Sequence, residues 1–258
     1  MSVCIASIYF VQQVYAQVHI YWCIGVYIKE DVGEGFKMIL GESVVCGIDE
    51  AGRGPLAGPV YASAVVFKRR NCSGFESSYT KSQCSGASSD SSSFLQLLND
   101  SKKMSETSRV RAFEQITQES FYAVAFASHE EIDEINILQA SLLAMRRAFS
   151  LLYKQLEKEA PYLLQNLTVI VDGNKIPHLT EGVSCEAMVK ADAKIKEVMA
   201  ASILAKVSRD RKMIEYSKLY PQWNYQKHKG YPTKAHIDAI KEYGESPIQR
   251  KSFRYRFK

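Results

Sequence analysis

Cys46-Gly-Ile-Asp-Glu-Ala-Gly-Arg-Gly-Pro-Leu-Ala-Gly-Pro-Val60 is the stretch on which the reading of this chain turns. With Val44 and Val45 before it, Val44–Ile48 reads as a strand. Gly52–Gly58 reads as a turn, and Val60–Phe67, with its Ala/Val alternation, as a second strand. That is a hairpin with a long, glycine-bearing connection. Asp49 and Glu50 close the first strand, and two adjacent carboxylates at the end of a buried strand need a partner once they leave water. A divalent cation is the usual one. The turn then brings backbone N–H groups and the Arg53 guanidinium to the same place, a combination that predicts metal-assisted chemistry on a phosphate ester.

Working outward, residues 73–93 hold ten serines and two glycines. Such a segment buries too little apolar surface to offset its ordering entropy, so a disordered surface insertion is expected over about 71–94. Ser105 is placed to cap a helix running to about Ser120, and Phe121–Ala127 reads as a strand. From Glu130 to Lys158, apolar residues recur at helical spacing (Ile132, Ile135, Leu138, Leu142, Met145, Phe149) until Pro161 stops the helix. Leu167–Val171 is an apolar, β-branched run ending on Asp172. Cys185–Val189 reads as a further strand, Ile195–Lys212 as a helix rich in small residues, and Thr233–Tyr243 as a short amphipathic helix. A meander of strands followed by strand–helix alternation predicts an α/β sheet covered by helices.

Asp49 with Glu50, Asp172 and Asp192 each stand where an apolar strand gives way to a turn or helix start. If those strands are neighbours, four carboxylates converge, and like charges that close cannot all ionise without cations. Two Mg²⁺ ions roughly 4 Å apart would neutralise them and activate a water for in-line attack on phosphorus. A single Asp at a strand end is more often a turn cap; the repetition, with a doublet, favours catalysis. Gly52-Arg53-Gly54 is either a plain tight turn or a loop that exposes its backbone to a sugar or phosphate. It is neither a Walker A loop nor a dinucleotide fingerprint. Ser101, Lys102 and Lys103 read as an exposed polar turn or, near the site, as phosphate contacts. Tyr225, His228, Lys229, Gly230 and Tyr231 interleave aromatic with basic groups, as nucleic-acid surfaces do, or form a surface loop with buried tyrosines.

Charge distribution agrees. The 258-residue chain carries +5 overall, but residues 190–258 hold 17 Lys/Arg against 7 Asp/Glu, leaving the remainder at −5. A basic C-terminal quarter beside a carboxylate-bearing body suits a polyanionic substrate. Six cysteines without a C-x-x-C pair argue against a zinc site or disulfide framework and for a reducing compartment. Residues 1–28 contain no charge, but Gln12, Gln13, Gln17 and His19 break them into apolar runs too short to span a bilayer. With no basic n-region and no Arg before Arg53, neither a secretory signal nor an ordinary transit peptide fits. Residues 1–40 are left as an unassigned extension, and a cytoplasmic protein without membrane attachment is expected, organellar targeting through that extension staying open.

Gly47–Val60 resembles the opening motif of bacterial-type ribonuclease HII, the type 2 ribonuclease H. Asn99-Asp-Ser-Lys-Lys103, Glu131-Ile-Asp-Glu-Ile-Asn136, Val171-Asp-Gly-Asn174, Ala200–Lys206 and His228-Lys-Gly-Tyr-Pro-Thr233 are similar to further blocks of that family, in the same order. The resemblance implies one domain over 41–258 with an RNase H-like fold: a central mixed β-sheet flanked by helices, with a C-terminal helical extension. It implies hydrolysis of the RNA strand of RNA–DNA hybrids and incision 5′ of ribonucleotides embedded in duplex DNA, leaving 3′-hydroxyl and 5′-phosphate ends. By the same resemblance Asp49, Glu50, Asp172 and Asp192 hold Mg²⁺ or Mn²⁺, and Gly52, Arg53 and Gly54 read the 2′-hydroxyl that distinguishes RNA from DNA. Ser101, Lys102 and Lys103 bind substrate, Tyr231 packs on the neighbouring deoxyribose, and the chain acts as a monomer. The alternatives are another nuclease of this fold acting on DNA, or a non-catalytic nucleic-acid-binding relative. Two departures stand out. Lys190-Ala191-Asp192 has alanine where the family usually has glycine, which would strain the backbone if that position needs positive φ. The tail reads Gln249-Arg-Lys-Ser-Phe253 where a His-Arg-Arg-Ser-Phe type is more common.

Overall fold

Gly47 fixes how closely the central strand can be covered. A Cβ built there would lie 2.2 Å from the backbone carbon of Glu197 and 2.3 Å from the nitrogen of Val198, so only glycine admits the helix that carries them. The computed structural model describes residues 26–28, 38–40, 43–68, 98, 104–179 and 183–254. Strands β1 (Val26–Ile28) and β2 (Met38–Leu40) pair antiparallel with each other. The main elements follow: β3 (Val44–Ala51), β4 (Val60–Phe67), α1 (Glu106–Glu119), β5 (Ser120–Ala127), α2 (His129–Glu159), β6 (Leu167–Asp172) and β7 (Ser184–Met188). Helices α3 (Lys196–Leu219), α4 (Tyr225–His228) and α5 (Lys234–Tyr243) complete the chain.

Five strands form one mixed sheet in the order β5-β4-β3-β6-β7. The hairpin expected from Val44 to Phe67 is present, with β3 and β4 antiparallel and β5 added antiparallel to β4. Strands β6 and β7 join on the other side in parallel. Because side chains alternate along a strand, β4 divides its residues between two cores. Val44, Cys46 and Ile48 pack with Val60, Ala62, Ala64 and Val66 against Ala144, Ala148, Phe149 and Leu152 of α2. On the opposite face Val65 meets Ala200, Ala201, Ile203 and Leu204 of α3, with Ala112 and Ile116 of α1 behind them. Helix α3 is buried continuously from Val198 to Ala205 because it has the sheet on one side and α1 on the other. It also runs on to Leu219, beyond the expected stop near Lys212, until Pro221 opens the next turn.

Local signals account for the helix starts. Ser105 accepts the Ser108 N–H, Thr233 accepts the His236 N–H, and Ser128 forms a reciprocal capping box with Glu131. A third core, Leu56, Ala57, Met213, Trp223, Tyr225, Ala239, Ile240 and Ile248, packs the C-terminal helices around the loop between β3 and β4. Among the described residues no helix is long and apolar enough to cross a membrane. The serine-rich insertion lies outside the described residues, as does most of the 1–40 extension.

Candidate active site

The register of the sheet brings the carboxylates together. Strands β3 and β6 pair in parallel as far as Ile48 and Val171, so Asp49 and Asp172 follow side by side at the same end of adjacent strands. Strand β7 ends at Met188. Lys190 then turns the chain in the left-handed region (φ 59°, ψ 38°), and a 3₁₀ turn, Ala191–Ala193, carries Asp192 back to the same point. Asp49, Asp172 and Asp192 each offer an oxygen, and these lie within 4.8 Å of one another.

The expected strain at Ala191 does not arise. The positive φ falls one residue earlier, on Lys190, while Ala191 is buried within the 3₁₀ turn. Its N–H donates to Asp172 Oδ1 at 2.8 Å, which ties the two loops carrying Asp172 and Asp192 together. An alanine therefore serves here where a glycine is usual.

Glu50 sits beside this trio but is not a member of it. As the strand neighbour of Asp49 it starts from the opposite face of the sheet. Its Oε1 accepts from Arg53 Nη1 at 3.4 Å, while Oε2 is buried without a hydrogen-bond partner. Burial is the main cause that pushes the Glu50 carboxyl up; Asp172 adds to it and Arg53 opposes it. Asp49 is pushed well above the usual carboxylate range, first by burial and then by the Glu50 charge. Hydrogen bonds from the Ser202 hydroxyl and the Glu50 N–H oppose that rise. The Glu50 N–H lies 2.6 Å from Asp49 Oδ1.

Two carboxylates pushed up by burial and by neighbouring negative charge, with a buried Glu50 oxygen left without a partner beside them, fit a divalent cation. The donors are all oxygen, with no His or Cys among them, which suits Mg²⁺ or Mn²⁺ rather than zinc.

The loop after β3 is the second half of the site. Arg53 and Gly54 are exposed while Gly52 and Pro55–Pro59 are buried. Gly52 has φ +103°, and a Cβ there would strike the Arg209 side chain at 2.1 Å, so glycine is required both for conformation and for space. Gly54 faces the Tyr231 ring, 3.8 Å from where its own Cβ would be. Tyr231 is 38% exposed and has Lys206 Nζ 5.7 Å and the Arg209 guanidinium 5.8 Å from its ring centre. Loop and tyrosine are thus one surface, reached within a few residues of Asp49. Ser101, Lys102 and Lys103 lie outside the described residues.

Comparison with known proteins converges on one family. A profile described as Ribonuclease HII matches residues 87–258. The Ribonuclease HII of Treponema denticola is 47% identical over 215 residues, covering 81% of this chain and 98% of that protein. The chain belongs to the ribonuclease HII family. Its counterpart in Francisella tularensis subsp. novicida is 42% identical, over 82% of this chain and 96% of its own. Among solved structures, RNase HII of Archaeoglobus fulgidus, determined in complex with PCNA, has a TM-score of 0.58 at 23% identity, covering 83% of this chain and 97% of that one. Ribonuclease H2 of Pyrococcus horikoshii OT3 has a TM-score of 0.56 at 25% identity, over 81% and 93% of the two chains. The fold is therefore the RNase H-like one expected. Membership makes the protein a hydrolase: a metal-dependent endoribonuclease of the ribonuclease H class.

Several residues that shape this family site are given no role by the sequence reading, although Ser202 and Arg250 lie within stretches compared there with the family. Ser202 lies inside an apolar helix, yet its hydroxyl meets Asp49. Arg209 and Arg250 read as ordinary members of a basic region, but both are fully buried under the loop. Nothing in spacing marks them; only fully buried guanidinium groups in a finished structure do.

Proposed function

We propose that this protein cleaves the RNA strand of RNA–DNA hybrids and incises duplex DNA on the 5′ side of an embedded ribonucleotide, leaving a 3′-hydroxyl and a 5′-phosphate. The observation that supports this reading is the contiguity of the carboxylate cluster with the Gly52–Gly54 loop and Tyr231, the arrangement that a sugar reader beside the chemistry would need. Asp49, Asp172 and Asp192, with Glu50 adjoining, are the residues that would hold a pair of Mg²⁺ or Mn²⁺ ions. Bound there, the ions supply a lowered water pKa and positive charge at the scissile phosphate.

The remaining work falls to the chain itself. Ser202 and the Ala191 N–H orient the Asp49 and Asp172 carboxylates. The exposed N–H groups of the Gly52–Gly54 loop donate to the 2′-hydroxyl, a group DNA lacks. Tyr231 packs on the deoxyribose beyond the ribonucleotide, so that a ribo-to-deoxyribo step is read rather than a base sequence. Ser101, Lys102 and Lys103, with the basic C-terminal quarter, hold phosphates and give binding that falls with salt. One chain carries every group this reading needs, so we infer a monomeric enzyme.

The direct test is incubation of the full chain with a duplex carrying one ribonucleotide, with and without Mg²⁺ or Mn²⁺, followed by mapping of the cut. A single divalent-dependent incision 5′ of the ribonucleotide is expected. Cleavage of an all-DNA duplex under the same conditions would point to a DNA nuclease of the same fold instead.

A further inference from the structure

The two largest fully buried side chains of the described residues are both cationic, Arg209 on α3 and Arg250 in the tail after α5. Among the described residues neither makes an ion pair with a carboxylate; both are satisfied by backbone carbonyls. Arg250 donates from Nε to Gly58 O at 2.7 Å, from Nη1 to Arg53 O at 3.1 Å and Pro55 O at 2.8 Å, and from Nη2 to Gly52 O at 2.7 Å. Arg209 donates from Nε to Pro59 O at 3.0 Å, from Nη2 to Ala57 O at 3.2 Å and from Nη1 to Lys229 O at 3.0 Å. Between them they take the carbonyls of Gly52, Arg53, Pro55, Ala57, Gly58 and Pro59 and fasten the loop to the turn that carries Tyr231.

A trans peptide is planar, with C=O of one residue and N–H of the next pointing in opposite directions. With the Gly52 and Arg53 carbonyls drawn to Arg250, the N–H groups of Arg53 and Gly54 must point away from it, on the side where those two residues are exposed. Among the described residues neither N–H enters a backbone hydrogen bond. Burial pushes the Arg250 guanidinium down to about 9, which still leaves it a cation at neutral pH.

Arg250 is itself held from behind. Asp133 accepts the Lys251 N–H at 2.9 Å, the Ser252 N–H at 2.8 Å and the Ser252 hydroxyl at 2.6 Å. Asn136, at φ 65° and ψ 164°, interrupts α2, and its Oδ1 caps the N–H groups of Leu138 and Gln139. The first turns of α2, which carry Asp133, are thereby set apart from the long helix on the sheet.

We propose that Arg250 is a positioning residue for sugar discrimination: it turns the Gly52–Gly54 loop so that the Arg53 and Gly54 N–H groups face the 2′-hydroxyl, and Asp133 keeps it in register. This rests on the loop being the 2′-hydroxyl reader.

The test measures binding in Mg²⁺ to two duplexes identical except for one ribonucleotide, using the Asp172→Asn background so that the duplex survives. The parent is expected to prefer the ribonucleotide-bearing duplex. Arg250→Lys keeps a positive charge but loses the planar fork. It should reduce that preference about tenfold, the size of one hydrogen bond to a charged group, with all-DNA affinity changed less than about twofold. Asp133→Ala, at the surface and away from the loop, should reduce the preference in the same direction by about threefold; it decides the matter alone if circular dichroism shows Arg250→Lys unfolded. An intact preference in the folded variants, or equal weakening on both duplexes in step with a lowered melting temperature, would overturn the proposal. No preference in the parent would instead remove the loop's role as reader, and the proposal with it.

Discussion

Two charged regions lie a few residues apart in this protein and are built on opposite principles. The carboxylates at the ends of β3 and β6 lie close to one another: Asp49 and Glu50 are pushed up in pKa chiefly by burial, the Asp172 charge adds to both, and Glu50 has an oxygen with no partner. The arginines beneath the neighbouring loop are buried as deeply, yet seven hydrogen bonds to carbonyls satisfy them. Like charges gathered at one spot hold a place for a cation from outside; a charge fully compensated by backbone has no such need and serves as scaffold. The same low-dielectric surroundings produce a site in one region and a rigid frame in the other.

The largest expected effect separates the two. Asp172→Asn removes one charge from the cluster and should lower cleavage of a ribonucleotide-bearing duplex by about 10³-fold or more, with duplex affinity largely intact. The same variant should be no less stable than the parent without divalent ions, since a like charge has gone, and should gain less melting temperature on adding Mg²⁺. A parallel loss of stability and affinity would make Asp172 a structural residue and dissolve the contrast.

Next comes Gly47→Ala, which forces a Cβ into the backbone of α3 behind Asp49. Overpacking against backbone should cost about 3 kcal/mol or more in urea unfolding; a neutral result would show that α3 can shift without harm.

The scaffold region has its own acid sensitivity. His228 and His236 stack with ring centres 4.5 Å apart beneath the Tyr231 turn. His228 donates from Nε2 to Trp223 O at 2.7 Å and accepts the Gly230 N–H on Nδ1 at 3.2 Å, which uses both nitrogens of the neutral ring. Burial, with the His228 charge second, pushes His236 down to about 4 from an ordinary 6.5. A pKa lowered on folding means that the unfolded chain takes up the proton first. This contribution to stability is therefore whole above pH 6.5 and declines towards pH 4, by up to roughly 3 kcal/mol. Urea midpoints across that range, with His236→Leu flattening the profile, would check it; a profile unchanged by the substitution would move the acid sensitivity elsewhere.

Smallest is Tyr231→Ala, expected to lower incision at single ribonucleotides about tenfold, one lost stacking contact, while overall duplex affinity changes less. A uniform loss on every substrate would count against reading of the ribo-to-deoxyribo step.

Much of this is legible in the sequence. The hairpin from Val44 to Phe67 followed from alternation and glycine-bearing punctuation. The helix starts at Ser105 and Thr233 followed from capping residues, and both are where expected. The convergence of Asp49, Asp172 and Asp192 was expected from three strand ends of like composition. The expectation at Ala191 was not met, because positive φ belongs to a backbone path and moved to Lys190, which the sequence does not mark.

What the sequence by itself determined was the strands of the main sheet, the longer helices and the acidic residues that end the strands, since periodicity, caps and burial cost act locally along a chain. Tertiary structure alone decided that Glu50 leans to Arg53, that Ala191 joins two carboxylate-bearing loops, and that Arg209 and Arg250 lie beneath the sugar-facing loop. The arginine contacts depend on which loop carbonyls a side chain meets from 150 to 198 residues away, and the Glu50 and Ala191 contacts on how a turn sets its dihedral angles. Local pattern carries no record of either.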